Sequence, residues 1–122
     1  MPDPNFVILY VDNPPASAAF YARLLGHPVI ESSATFALLP LREGTLLGLW
    51  SKHTVAPAAE AGGGGAEVAF TVAAPDEVDA THAWWQAQGL PILQAPTEMD
   101  FGRTFVALDP DGHRLRVLKP AD

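Results

Sequence analysis

The stretch "GHPVI" at residues 26 to 30 returns as "GLPIL" at residues 89 to 93, an offset of 63, and each copy directly follows a helix-like segment. Those segments, "PPASAAFYARLLG" and "DEVDATHAWWQAQG", open on proline or acidic start signals, carry apolar residues at helical spacing and stop at a glycine suited to a left-handed cap. Upstream of each lies a run rich in β-branched and aromatic residues, "NFVILYV" at 5 to 11 and "AEVAFTV" at 66 to 72. Two further apolar runs follow each copy: "TFALLPL" and "TLLGLW" in the first half, "TFVAL" and "HRLRVLK" in the second. The reversals between them, "REG" at 42 to 44 and "DPDG" at 109 to 112, each place a glycine where a tight turn needs one. With the recurring pentapeptides read as strands, each half is β-α-β-β-β. The fold class is therefore α+β, one domain over residues 1–122 made of two βαβββ modules, about 1–59 and 67–122.

Between the modules runs "EAGGGGAE", residues 60 to 67. A phosphate-cradling loop requires a preceding strand, a following helix and a Lys-Ser/Thr pair, whereas here a strand follows the glycines. The segment at about 60–66 reads as a flexible linker.

Composition narrows the function classes. The 122 residues suffice for a single core, and 48% hydrophobic with 17% charged residues describes an ordinary globular chain. A net charge of -7 with seven Lys and Arg is the wrong balance for a nucleic-acid face, so no nucleic-acid partner is expected. The absence of cysteine removes disulfides, thiolate chemistry and thiolate-bound zinc. The apolar run near the N-terminus lacks a basic flank and is too short to cross a bilayer, so the expectation is a cytoplasmic protein with no membrane partner.

The paired modules, the "DPDG" turn before the last strand, and "FY" followed by "LLG" in the first helix resemble the vicinal oxygen chelate superfamily, which includes glyoxalase I, extradiol dioxygenases and bleomycin-resistance proteins. Within it, "LGLWSKHTVAP", "GGGGAEVAF" and "MDFGRTFVALDPDGHRLRV" are most similar to the phenazine-antibiotic resistance proteins, which bind a planar tricyclic drug without transforming it. The resemblance implies two modules that curl into half-open cups of mixed sheet, assembled as a homodimer. It also implies a cleft where the enzymes of the superfamily hold a metal through His, Gln or Glu on the first and last strands. By register those positions fall on Phe6, Gly48, Glu67 and Arg116. One carboxylate beside a guanidinium, a phenyl ring and a glycine is one usable donor, where a divalent ion needs three or four. No metal and no cofactor are expected at these positions. Glu67 and Arg116 are expected to pair with each other, with a hydrogen bond from Arg116 to a ligand as the alternative.

Alternation then assigns faces. With Gly48 toward the cleft, Leu46 and Trp50 follow it, as do Phe6, Ile8 and Tyr10 on the first strand, while Leu47, Leu49, Val7, Leu9 and Val11 turn to the helix side. A cleft lined by Phe6, Tyr10 and Trp50, with Gly48 leaving space where relatives carry a carboxylate, suits a planar aromatic ligand. Phe36 is a further strand aromatic, and Met99 and Phe101, assigned to the loop leading into the later strands, either cover the ligand or pack within the domain. Phe105 and Trp85 read as core residues, and Trp84 as partly exposed. His53 is either a solvated loop residue or a second wall for the ligand; His27, His82 and His113 form no set with it. The function expected is non-catalytic sequestration of a planar aromatic antibiotic or related metabolite. Two alternatives stand beside it: a metal-dependent glyoxalase- or dioxygenase-type enzyme with its ligands shifted to residues such as His53, Glu67 and His113, and an accessory binding protein of a biosynthetic pathway.

Overall fold

The computed structural model describes residues 2–122, and the chain divides into two compact units between Ala61 and Gly62. The first contains β1 (Phe6–Val11), α1 (Pro14–Leu25), β2 (Glu31–Ser32), β3 (Phe36–Pro40) and β4 (Leu46–Ser51). The second repeats the order with β5 (Glu67–Thr71), α2 (Pro75–Ala87), β6 (Ile92–Met99), β7 (Gly102–Leu108) and β8 (Arg114–Pro120). Each unit is one mixed four-stranded sheet, ordered β1-β4-β3-β2 and β5-β8-β7-β6. In each, the first and last strands pair in parallel and the remaining neighbours antiparallel. A parallel pair needs a crossover, and the helix of each module supplies it.

Local signals account for the helix ends. Asn13 caps α1 by accepting from the Ala16 amide at 3.1 Å, prolines occupy the first turn, and Gly26 closes the helix in the left-handed region at φ 70°. In α2, Asp76 and Glu77 lie in the first turn, where the helix dipole favours negative charge. The turn glycines that pair the two halves in sequence adopt the same geometry, Gly44 at φ 81° and Gly112 at φ 82°.

Each module has its own core under its helix. In the first, Val11, Ala18, Tyr21, Ala37, Leu39, Leu47 and Leu49 are buried, with α1 lying on β3 and β4. In the second, Val78, Trp85, Leu90, Phe105, Leu115 and Val117 are buried, and Trp85 meets Phe70 and Phe105 edge-on, each at a centroid distance of 5.3 Å.

Three expectations are corrected. Residues 26 to 30 form no strand: Gly26 and Pro28 keep the chain out of a ladder, and pairing to β3 is regular only over the two residues of β2. Residues 98 to 105 are not a loop leading into strands. β6 continues to Met99 and turns through residues 100 and 101 into β7. Pro96 is tolerated because β6 is an edge strand whose register shifts between Gln94 and Thr97. Val7, assigned to the core, is 39% exposed, because β1 is an edge strand and α1 sits on the two strands beyond it.

The glycine run is also more than a spacer. A β-carbon on Gly63 would stand 2.6 Å from the Gly112 carbonyl carbon and 2.7 Å from the His113 amide nitrogen, so this residue packs backbone to backbone against the "DPDG" turn.

Candidate functional site

Strand register assembles one face of the first module from three strands. Phe6 pairs with Leu46, Ile8 with Gly48 and Tyr10 with Trp50 across β1 and β4; Phe36 pairs with Trp50, Leu38 with Gly48 and Pro40 with Leu46 across β3 and β4. Alternation puts all nine on the side of the sheet away from Leu47, Leu49 and Leu39, which are buried under α1. No charged side chain lies among them. Phe6, Ile8 and Tyr10 are each more than 40% exposed, while Phe36 and Trp50 are half-buried and meet edge-on with centroids 6.2 Å apart. An apolar surface of this extent on a strand face is the kind that a ligand or a partner covers.

The glycine in this face does not leave an open slot. An ideal β-carbon on Gly48 would stand 2.7 Å from Phe6 Cε1 and 3.0 Å from Phe36 Cζ, so the two rings have closed over the bare backbone. Dense packing favours this collapse, because a gap beside the glycine would forfeit dispersion contacts. The floor is thus aromatic rather than vacant, which corrects the expectation that Gly48 leaves space free.

The equivalent face of the second module is polar. Ala69 pairs with Arg116 as Ile8 pairs with Gly48, so Glu67 occupies the place of Phe6 and Arg116 the place of Gly48. The Arg116 guanidinium grips Glu67 with both arms, Nε to Oε1 at 2.9 Å and an Nη to Oε2 at 3.0 Å. Its other Nη donates to Thr104 Oγ1 at 3.2 Å and to Gln94 Oε1 at 3.4 Å. The hydrogen bonds from Arg116 outweigh partial desolvation and hold the Glu67 carboxyl below the usual carboxylate range. Phe101 lies over the guanidinium at 5.8 Å, and Gln94 donates to Met99 Sδ at 3.5 Å, so Met99, Phe101 and Arg116 gather at one end of this sheet.

His53 lies in the turn after β4. Its Nε2 is 2.7 Å from Asp12 Oδ1, and that hydrogen bond is the main influence lowering the Asp12 carboxyl from its usual range. The sequence did not single out Asp12, which lies in the bend between β1 and α1. Gln94 and Thr104 were missed for another reason: neither carries a motif, and only the β6–β7 and β7–β8 registers bring them beside Arg116.

These residues do not suit a metal. Phe6 and Gly48 offer no donor, both oxygens of Glu67 are engaged by Arg116, and Arg116 is a permanent cation. Among the described residues no group of three or more His, Asp or Glu is disposed to hold an ion. Nor is any helix among them long and apolar enough to cross a membrane.

Comparison with known proteins converges on this architecture. The family model of the glyoxalase/bleomycin resistance protein/dioxygenase superfamily matches residues 4–117. The phenazine antibiotic resistance protein EhpR of Enterobacter agglomerans is 28% identical over 117 residues, 93% of this chain and 89% of that protein. Among solved structures, a protein of Agrobacterium tumefaciens determined by solution NMR is 56% identical, with full coverage of both chains and a TM-score of 0.92. A glyoxalase-related enzyme from Fulvimarina pelagi, 21% identical over 98% of this chain and 88% of that one, shares the fold with a TM-score of 0.84.

Proposed function

This chain belongs to the glyoxalase/bleomycin resistance protein/dioxygenase superfamily, and from that premise we propose that it is a cytoplasmic homodimer that binds a planar aromatic antibiotic or related metabolite, of phenazine type, and lowers its free concentration without transforming it. The observation that carries this reading is the uncharged face of the first module, where Phe6, Tyr10, Phe36 and Trp50 surround Gly48. Flat ring systems bind through exposed ring faces and edges, and a surface without charges does not have to be desolvated at high cost. The relative named as a phenazine antibiotic resistance protein supports the ligand class. His53 borders the face as a polar contact, and in the second module Arg116 is committed to Glu67.

Binding alone suffices for such a role. Sequestration is stoichiometric, and micromolar affinity corresponds to about 8 kcal/mol, within reach of a stacked ring system with one or two polar anchors. Self-association fits the edge position of β1, whose outer backbone groups and exposed Val7 a second copy would cover.

The test is a titration of the purified protein with phenazine, followed by tryptophan fluorescence, with mass spectrometry of the recovered ligand and sedimentation to read the assembly. Saturable quenching with the ligand recovered unchanged is expected, and Trp50→Ala should weaken binding at least about ten-fold, or 1.4 kcal/mol. Conversion of the compound, or an affinity that Trp50→Ala leaves intact, overturns the reading.

A further inference from the structure

β1 and β4 end together at the Val11–Ser51 pair, where the Lys52 amide donates to the Val11 carbonyl at 2.8 Å. Asp12 lies two residues beyond Tyr10, in the bend that follows the end of β1 at Val11. There its Oδ1 meets His53 Nε2 at 2.7 Å. This pair stands just beyond the ends of β1 and β4, two residues after Tyr10 and three after Trp50.

The pair determines which ring nitrogen carries the proton. An ionised carboxylate accepts hydrogen bonds and donates none, so the hydrogen in the short contact belongs to Nε2. In the neutral imidazole Nδ1 is then an acceptor with its lone pair available. Among the described residues Nδ1 makes no hydrogen bond, since the other contact of His53 runs from its backbone amide to Ser51 Oγ. The His53 side chain is 62% exposed, and the charged groups beside it are Asp12 and Lys52.

We propose that Asp12 is a positioning residue that holds His53 in the Nε2–H form, and that His53 Nδ1 accepts a hydrogen bond from a donor, an amine or hydroxyl, on the edge of a flat aromatic ligand lying against Trp50 and Tyr10. The proposal rests on the reading of the aromatic face as a ligand site. It adds a chemical preference: among planar ring systems of equal size, those with a donor hydrogen at one edge bind more tightly.

Two near-isosteric probes isolate that hydrogen, 2-aminophenazine and 2-methylphenazine, titrated against the full chain with unsubstituted phenazine as reference. The wild-type protein should favour the amine about ten-fold, the effect of one well-made hydrogen bond. His53→Phe, which keeps a flat ring and removes both nitrogens, should bring the ratio close to one. Asp12→Ala should do the same, and ¹⁵N spectra of the imidazole should pass from a pyridine-type Nδ1 with a pyrrole-type Nε2 to a mixture of tautomers. A wild-type ratio near one, a ratio that survives His53→Phe, or a protonated Nδ1 in the neutral wild-type imidazole overturns the proposal and leaves the aromatic-face reading standing. Failure of all three phenazines to bind overturns both.

Discussion

The ring of Phe6 lies over Gly48, its Cε1 2.7 Å from where a β-carbon would stand, and the same two places in the second module hold Glu67 and its partner Arg116. One fold position is thus used twice, for an aromatic contact on bare backbone and for a bidentate ion pair. Gly48→Ala tests the first use. The new methyl displaces the tips of Phe6 and Phe36, and Phe6 is 42% exposed and free to yield. A strand alanine also loses less backbone entropy on folding than glycine, by about 0.5–1 kcal/mol. The melting temperature should therefore move little, while affinity for a planar ligand falls several-fold because the floor is no longer flat. Calorimetry and a phenazine titration on the same sample read the two effects separately.

The second use has a pH signature. Arg116 lowers the Glu67 pKa in the folded state, so the folded chain binds that proton more weakly than the unfolded one. The resulting stabilisation is complete above the unfolded value, near 4.5, and disappears as pH falls through the lower folded value. Glu67→Gln should remove on the order of 1 kcal/mol near neutral pH and flatten this part of the acid limb. Denaturant midpoints of both proteins between pH 3 and 7 check it: curves that stay parallel across that window contradict the linkage.

Much of this arrangement follows from alternation and repetition, and the rest needs three dimensions. The pairing of Glu67 with Arg116 was legible through the family resemblance, which brings first- and last-strand positions together, once the turn glycines Gly44 and Gly112 aligned the two halves. Trp85 could be placed in the core by helical spacing alone. Three features could not be seen so early. A glycine in a strand reads as space until a neighbouring rotamer fills it, as Phe6 does at Gly48. The short β2 and the long β6 differ because pairing partners, and not their similar pentapeptides, decide where a strand stops. Asp12 and His53 are 41 residues apart and meet only because β1 and β4 run parallel in register.

The adjacent tryptophans of α2 provide a contrast in energy. Trp85 is 3% exposed between Phe70 and Phe105, whereas Trp84 is 45% exposed. Trp85→Ala should destabilise the chain by about 3–5 kcal/mol, the range for deleting a large buried aromatic. Trp84→Ala should stay within about 1 kcal/mol. Urea denaturation of both variants decides the matter, since equal losses would mean that the helix face is misassigned.

The glycine run at 62 to 65 allows the sharpest comparison, because neighbouring residues of one type have different surroundings. A β-carbon on Gly63 collides with the backbone of Gly112 and His113, and backbone cannot rotate away as a side chain can. Added β-carbons on Gly62 and Gly65 meet nothing within 4 Å, and neither residue has a positive φ. Gly63→Ala should therefore cost about 1–3 kcal/mol, the usual range for forcing extra volume into a packed contact. Gly62→Ala and Gly65→Ala should be neutral or stabilising by about 0.4–1 kcal/mol, since alanine restricts the unfolded chain more than glycine does. Thermal unfolding of the three single variants is enough. Equal behaviour at all three positions would mean that the run is a linker throughout, with no seat for Gly63 against the Gly112 turn.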